Sequence, residues 1–274
     1  MNGAWWGQFE FAAGETRAWR LGPLELWISR TPSEYRVAVR RDPDGDLSVL
    51  RVGDPWTEPV PDDVETVRYG VRDSARRLEV TPATADRAVI VKAESEFFVP
   101  PGDAATAFIS SPLWLRVQLP DPKRLMHEEP ALRPSDTWFG PSTLEGELCY
   151  AIRTNVRFDL ANLPVRPYRA VSIVRIRNHA DTSLPLARLR LPLPYLSLHA
   201  GEDGQLWTES VTLDRKQDDE LAEIKLGKTA PREAGKCVKI AGPREEMEKR
   251  HLIRSFTGLL GLRKAKEGYE RVVE

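Results

Sequence analysis

Carboxylates, an arginine and aromatic side chains crowd one short stretch of the chain: Arg133, Asp136, Trp138, Phe139, Gly140, Glu145, Glu147, Cys149 and Tyr150. These are the residue types from which a ligand site on a loop could be built. Glu145 and Glu147 stand two apart, so on a strand they share a face, as a pair of carboxylates for acid–base work would require. In this reading residues 133–150 form a small-ligand or catalytic site. Arg133, Asp136, Trp138, Glu145, Glu147 and Tyr150 contact the ligand, the carboxylates exchange protons and Trp138 stacks. A plainer reading competes with it: Trp138 and Phe139 plug the space between two sheets while Asp136 caps a turn and pairs with Arg133. Large aromatics in β proteins usually bury their area, which favours the plainer reading.

Other chemistries lack a complete pattern. Asp42, Asp44 and Asp46 alternate like the start of a calcium loop, but its sixth and twelfth positions hold Leu47 and Gly53 instead of glycine and glutamate. A solvated turn around Asp44-Gly45 accounts for them. Gly227-Lys228-Thr229 ends like a phosphate loop, yet Ala222 stands where its first glycine belongs and Pro231 interrupts the helix that should follow. His127, His179, His199 and His251 are far apart, and none has a histidine or cysteine at metal-ligand spacing. No Gly-x-Ser-x-Gly elbow occurs. Neither a catalytic residue, a metal nor a cofactor is expected.

Charge is nearly balanced overall, at −1, so nucleic acid is not an expected partner on global grounds. It is unbalanced locally. Between Ala151 and Ala200 stand Arg153, Arg157, Arg166, Arg169, Arg175, Arg177, Arg188 and Arg190 against only Asp159 and Asp181. Several alternate with apolar residues, so one sheet face could be strongly basic and hold an anion. The alternative is that their stems cover apolar surface and their heads meet acidic runs at 42–63 or 214–223.

The elements that must position these groups read as strands. Leu24, Leu26 and Ile28 alternate with Glu25, Trp27 and Ser29. Tyr35, Val37 and Val39 alternate in the same way, and Leu47 and Val49 follow after an acidic turn, which reads as a hairpin. Further strands are expected at 77–81, 87–93, 106–110, 113–119, 147–158, 170–177, 184–191, 195–199, 205–213 and 221–226. Asp203-Gly204 supplies the positive φ angles of a tight hairpin. Twenty-two prolines oppose long helices. The expectation is a mainly β protein: a β-sandwich-like domain over 1–125, a second over 126–242, and a proline-bracketed crossover near the boundary.

The tail differs. Pro243 and the acids Glu245, Glu246 and Glu248 precede Leu252, Ile253, Phe256, Leu259 and Leu260 at helical spacing, with cations among and after them. That order suits a helix dipole and predicts an amphipathic basic helix over 243–266. Its apolar stripe fits a protein groove, a membrane surface, a second copy of the chain, or the chain's own sheets. Cys149 and Cys237 look like reduced thiols. There is neither a signal-peptide pattern at Met1–Phe11 nor a long apolar run for a membrane span, so the expected location is cytoplasmic.

Trp6-Gly7-Gln8-Phe9-Glu10, Asp136-Thr137-Trp138-Phe139-Gly140 with Gly146-Glu147-Leu148-Cys149-Tyr150, and Val174-Arg175-Ile176-Arg177-Asn178 followed by Leu193-Pro194 occur in an order that resembles a prokaryotic family, domain of unknown function 432. The resemblance spans Trp5 to about Gly242 and leaves the tail outside. It implies a β-rich cytosolic protein without an established activity, with members associated with small-conductance mechanosensitive channels. The resulting expectation is a non-catalytic interaction or regulatory module, with a channel as one possible partner. The alternative is the enzyme or ligand-binding protein with its site at 133–150.

Overall fold

The computed structural model describes residues 4–92, 97–140, 142, 144–216, 221–247, 252–254 and 256–257. Strand dominates, and the helical elements among the described residues are three-residue 3-10 turns such as Leu160–Asn162. Side chains alternate between core and surface along strands such as Arg77–Ala83, while Leu198–Gly201 and Leu206–Thr208 are buried on both faces.

In the first half a five-stranded antiparallel sheet runs in the order Leu50–Pro55, Thr16–Leu21, Leu24–Arg30, Glu34–Arg41, Glu65–Gly70. A four-stranded sheet, in the order Gly7–Glu10, Arg77–Ala83, Trp114–Pro120, Lys123–Pro130, meets it through one core. Trp19, Leu26, Ile28, Tyr35 and Val37 from the first sheet pack with Leu78, Val80, Leu115 and Val117 from the second. Each such side chain contributes about 1.5–3 kcal/mol when fully removed from water. Trp27, on the outer face, is covered by Trp56, Val60 and Val64.

A second core lies between two other sheets. One is built around the long strand Arg169–Asn178, which pairs antiparallel with Ala104–Pro112 and parallel with Leu206–Thr208 and Val211–Arg215. The other runs in the order Ser135–Phe139, Glu147–Asn155, Val89–Lys92, Arg188–Leu191, Phe256–Thr257. Val89, Val91, Leu189 and Leu191 from it pack against Ile109, Val174, Ile176, Val211 and Leu213. The Asp203-Gly204 hairpin is present: Gly204 has φ 83° and His199 stands opposite Trp207.

Three expectations are corrected. Leu50–Pro55 does not close a hairpin on Glu34–Arg41; it crosses to Thr16–Leu21, and Glu65–Gly70 takes the edge it leaves. The proline-bracketed crossover contains a strand, Lys123–Pro130, paired with Trp114–Pro120, so position 125/126 lies inside a hairpin. Strands Val89–Lys92 and Ala104–Pro112, from before that position, pair with strands after it.

The third correction is the tail helix. Pro243–Met247 is not helical, Leu252–Arg254 extends the sheet at Leu221–Leu226, and Phe256–Thr257 pairs with Arg188–Leu191. Both partners would otherwise present unpaired backbone groups at a sheet edge, and satisfying them outweighs the helical spacing of the tail. Leu252, Ile253 and Phe256 are thus strand residues paired within their own chain. Leu259 and Leu260 lie outside the described residues.

Candidate functional site

The register of two strands decides where the chemistry of 133–150 points. Ser135–Phe139 and Glu147–Asn155 pair antiparallel, with Asp136 opposite Tyr150, Thr137 opposite Cys149, Trp138 opposite Leu148 and Phe139 opposite Glu147. Facing residues share a side, and sides alternate along each strand. Asp136 and Tyr150 therefore stand on one face of the sheet and Glu147 on the other.

On the first face Asp136 is exposed and accepts from Arg87 at 3.1 Å; the Arg87 guanidinium lies 5.1 Å from the Tyr150 ring centroid. Burial pushes the Tyr150 phenol pKa up, and Asp86 adds to it. Asp136 thus meets Arg87 rather than Arg133, which is itself exposed. Trp138 is no plug: it is 43% exposed, and its indole donates to the Ser142 carbonyl at 2.7 Å. Phe139 is the buried member of the pair. Glu145 is an exposed loop residue whose amide donates to the Ser142 hydroxyl at 3.1 Å. The loop closes tightly, because a Cβ on Gly140 would lie 2.1 Å from the Glu145 carbonyl oxygen. On the second face Glu147 accepts two bonds from Arg190, the Nη2 one at 2.9 Å. Asp136, Trp138 and Tyr150 thus stand on the face opposite Glu147.

Cys149 is fully buried beside that ion pair, and burial, with the nearby Glu147 charge, pushes its thiol up to about 12. Since only the thiolate attacks, Cys149 is expected to stay unmodified by a disulfide reagent at pH 8 until denaturant is added, while half-buried Cys237 reacts slowly in the folded protein. Rapid native labelling at Cys149, read by peptide mass, would refute this. A pKa raised on folding means that the neutral thiol stabilises the fold fully below the unfolded value of about 9, and that this contribution is lost as pH rises toward 12.

The convergent site lies on the same face as Glu147, a few residues along. Ser135, Thr137, Ala151, Ile90, Lys92 and Arg188 form one side of a cleft of about 750 Å³. Arg157, Leu163, Pro164, Arg166, Tyr168 and Arg169 line the rest, together with Leu47, Ser110 and Ile152. Of these fifteen residues five are cations and none carries a carboxylate. Lys92 and Arg188 stand directly opposite each other across two antiparallel strands, an arrangement that costs stability unless an anion intervenes. Arg157 bridges to Phe108 on the strand Ala104–Pro112. Two residues on, Ser110 accepts from Arg169 Nε at 2.9 Å, and its carbonyl accepts from Arg169 Nη2. Burial pulls the Arg169 pKa down, the Tyr168 phenol opposes this, and Arg166 adds to it. Asp46, held low mainly by bonds from the Ser48 hydroxyl and amide, also feels Arg166 from beyond the lining.

The arginines thus divide by location. Arg175 pairs with Glu233 at 2.7 Å, Arg177 approaches Asp214 at 3.8 Å and Arg190 is held by Glu147. Arg157, Arg166, Arg169 and Arg188 gather around the cleft. The histidines stay separate: His127 bonds Tyr69 at 2.9 Å and His199 lies 3.4 Å from Glu209. Among the described residues no three histidine, cysteine or acidic side chains gather to hold a metal ion, and no helix is long and apolar enough to cross a membrane.

A family described as protein of unknown function (DUF432) matches residues 5–260. The chain belongs to the DUF432 family. The match extends through the tail to residue 260, beyond the Gly242 limit of the motif resemblance. No curated protein and no solved structure matched.

In this DUF432 chain the motif residues are largely structural. Asn178, fully buried at the end of Arg169–Asn178, donates to the Val99 and Thr182 carbonyls at 2.9 and 2.8 Å and accepts from Arg215. The Asp136–Gly140 and Gly146–Tyr150 motifs form the hairpin that borders the cleft. Lys92, Ser110, Ser135 and Thr137 were not singled out from sequence. Ser135 and Thr137 sit one position either side of Asp136, and alternation alone would have grouped them had the inward face been known.

Proposed function

We propose that this DUF432 protein is a non-catalytic binding module that holds an anionic ligand in its arginine-lined cleft. One observation carries the reading: five cationic side chains line a single cleft without a carboxylate among its described lining residues. Charges so placed repel one another, and a bound anion relieves that cost while gaining charge-assisted hydrogen bonds. A cleft of about 750 Å³ is also of the size that small ligands occupy. The enzyme reading at 133–150 loses its motive, because Glu147 is tied to Arg190 and Asp136 faces the other way.

Two sandwich-like units, one around each core, would frame the cleft, and the cytoplasm supplies abundant phosphorylated ligands. A regulatory role toward a membrane channel rests on the resemblance alone, since the tail that was to reach a partner pairs with its own chain through Leu252–Arg254 and Phe256–Thr257.

Titration with inorganic phosphate by calorimetry, at low and high salt, tests the reading. Binding is expected, weakening as salt rises. The double variant Lys92→Gln/Arg188→Gln should bind about tenfold or more weakly, from the loss of charged hydrogen bonds. Arg175→Gln, whose parent side chain pairs with Glu233 away from the cleft, should bind as the parent does. Absence of any salt-sensitive binding, or an equal loss in Arg175→Gln, would overturn it.

A further inference from the structure

The cations of the cleft fall into two groups, and their spacing bears on what the ligand looks like. Lys92 and Arg188 are cross-strand neighbours, and the backbone after Asn155 runs beside Lys92, with the Val156 amide donating to the Lys92 carbonyl at 3.3 Å. Arg157 follows directly and bridges to Phe108. Lys92, Arg188 and Arg157 thus make one group.

The second group is Arg166 and Arg169, joined by the turn in which the Arg169 amide donates to the Arg166 carbonyl at 3.1 Å. Arg169 is anchored on Ser110 at 2.9 Å. The two groups therefore attach to one strand at Phe108 and at Ser110, a separation of about 7 Å for two residues of extended backbone. That backbone spacing exceeds the distance between adjacent phosphorus atoms of a diphosphate, which favours two phosphates set further apart. The cleft also offers the hydroxyls of Ser135 and Thr137 and the apolar side chains of Ile90, Leu163 and Pro164.

We infer that the cleft recognises a small molecule bearing two phosphate groups separated by a hydroxylated spacer, one phosphate on Lys92, Arg157 and Arg188 and the other on Arg166 and Arg169. The inference rests on the proposed anion-binding function and specifies its ligand class. Phosphate suits these partners, because it carries a charge of about −1.5 to −2 and three acceptor oxygens that match the forked donors of arginine. A carboxylate carries one charge and two oxygens, and would leave donors of a three-cation group unused. The hydroxyls of Ser135 and Thr137 both donate and accept, as the hydroxyl groups of a sugar-like spacer require.

Calorimetric titration with four probes provides the test: inorganic phosphate, pyrophosphate, a hexose 6-phosphate and a hexose 1,6-bisphosphate. The bisphosphate is expected to bind at least thirtyfold tighter than the monophosphate and tighter than pyrophosphate. Arg188→Gln and Arg166→Gln should each bring the bisphosphate down to the affinity of the monophosphate. Both parent side chains are at least partly solvent-exposed, and unchanged melting curves would verify that the variants fold.

If the bisphosphate binds no tighter than the monophosphate while both remain sensitive to Arg188→Gln, the two-phosphate inference fails and the anion-binding function stands. If none of the four probes binds, both fall. A short single-stranded oligonucleotide serves as a further arm: binding tighter than the bisphosphate and lost in the same two variants would replace the small-molecule ligand by a polyphosphate backbone.

Discussion

Asn178→Ala is expected to lower the unfolding free energy by about 4 kcal/mol, because a fully buried side chain that makes four hydrogen bonds vanishes where water cannot follow. The amide donates twice, to the Val99 and Thr182 carbonyls, and its oxygen accepts from the Ala180 amide at 3.3 Å and from Arg215 at 3.2 Å. Those partners belong to the strand Phe98–Val99, to the loop after Asn178 and to the strand Val211–Arg215, so one side chain ties three segments of the second core's surroundings. Each bond contributes about 1 kcal/mol net, and stranding buried donors raises the cost further. Urea unfolding followed by tryptophan fluorescence measures it. The midpoint should fall while the slope with denaturant stays the same, because the surface exposed on unfolding does not change. A loss below about 1 kcal/mol would mean that the network rearranges at no cost, against the account given for it.

The second large effect couples stability to binding. Glu147→Gln removes the carboxylate that holds Arg190, whose side chain is only 6% exposed. Breaking a fully buried ion pair from one side costs about 3–5 kcal/mol, but the Glu147 side chain is 43% exposed and glutamine still accepts a hydrogen bond, so a loss of about 1–2 kcal/mol is expected. The same change should strengthen anion binding several-fold. Arg190 lies on the cleft face, two residues from Arg188 on one strand, and without Glu147 it adds an uncompensated cation to that face. Chemical denaturation and phosphate calorimetry on one preparation would report both. Lower stability together with tighter binding is the outcome expected. Weaker binding would show that the Glu147–Arg190 pair shapes the cleft instead of moderating its charge, which contradicts the electrostatic account.

The two variants also show where the sequence was legible. Alternation such as Tyr35, Val37, Val39 revealed strands because a pleated backbone sends neighbouring side chains to opposite faces, a property of two adjacent residues. Asp203-Gly204 revealed a turn for the same local reason. The arginine density from Arg153 to Arg190 was visible as composition. Their fate was not: Arg175 and Arg190 found Glu233 and Glu147, residues 58 and 43 positions away, while Arg157, Arg166, Arg169 and Arg188 turned into one cleft. In residues 133–150 the crowded chemistry was plain, yet its distribution over two opposed faces followed from pairing register. The tail read as a helix from its 3.6-residue spacing, and two open sheet edges drew it into strands instead.

By itself, then, the sequence determined the β class, most strand positions, the Asp203-Gly204 hairpin and the local excess of positive charge. All of these depend on contacts within a few residues, where backbone sterics and side-chain alternation leave little choice. Tertiary structure alone decided which edge each strand joins, which face of Ser135–Phe139 and Glu147–Asn155 looks into the cleft, and which arginines meet a carboxylate. Those outcomes depend on competition among edges and charges far apart along the chain, and only folding brings the competitors together.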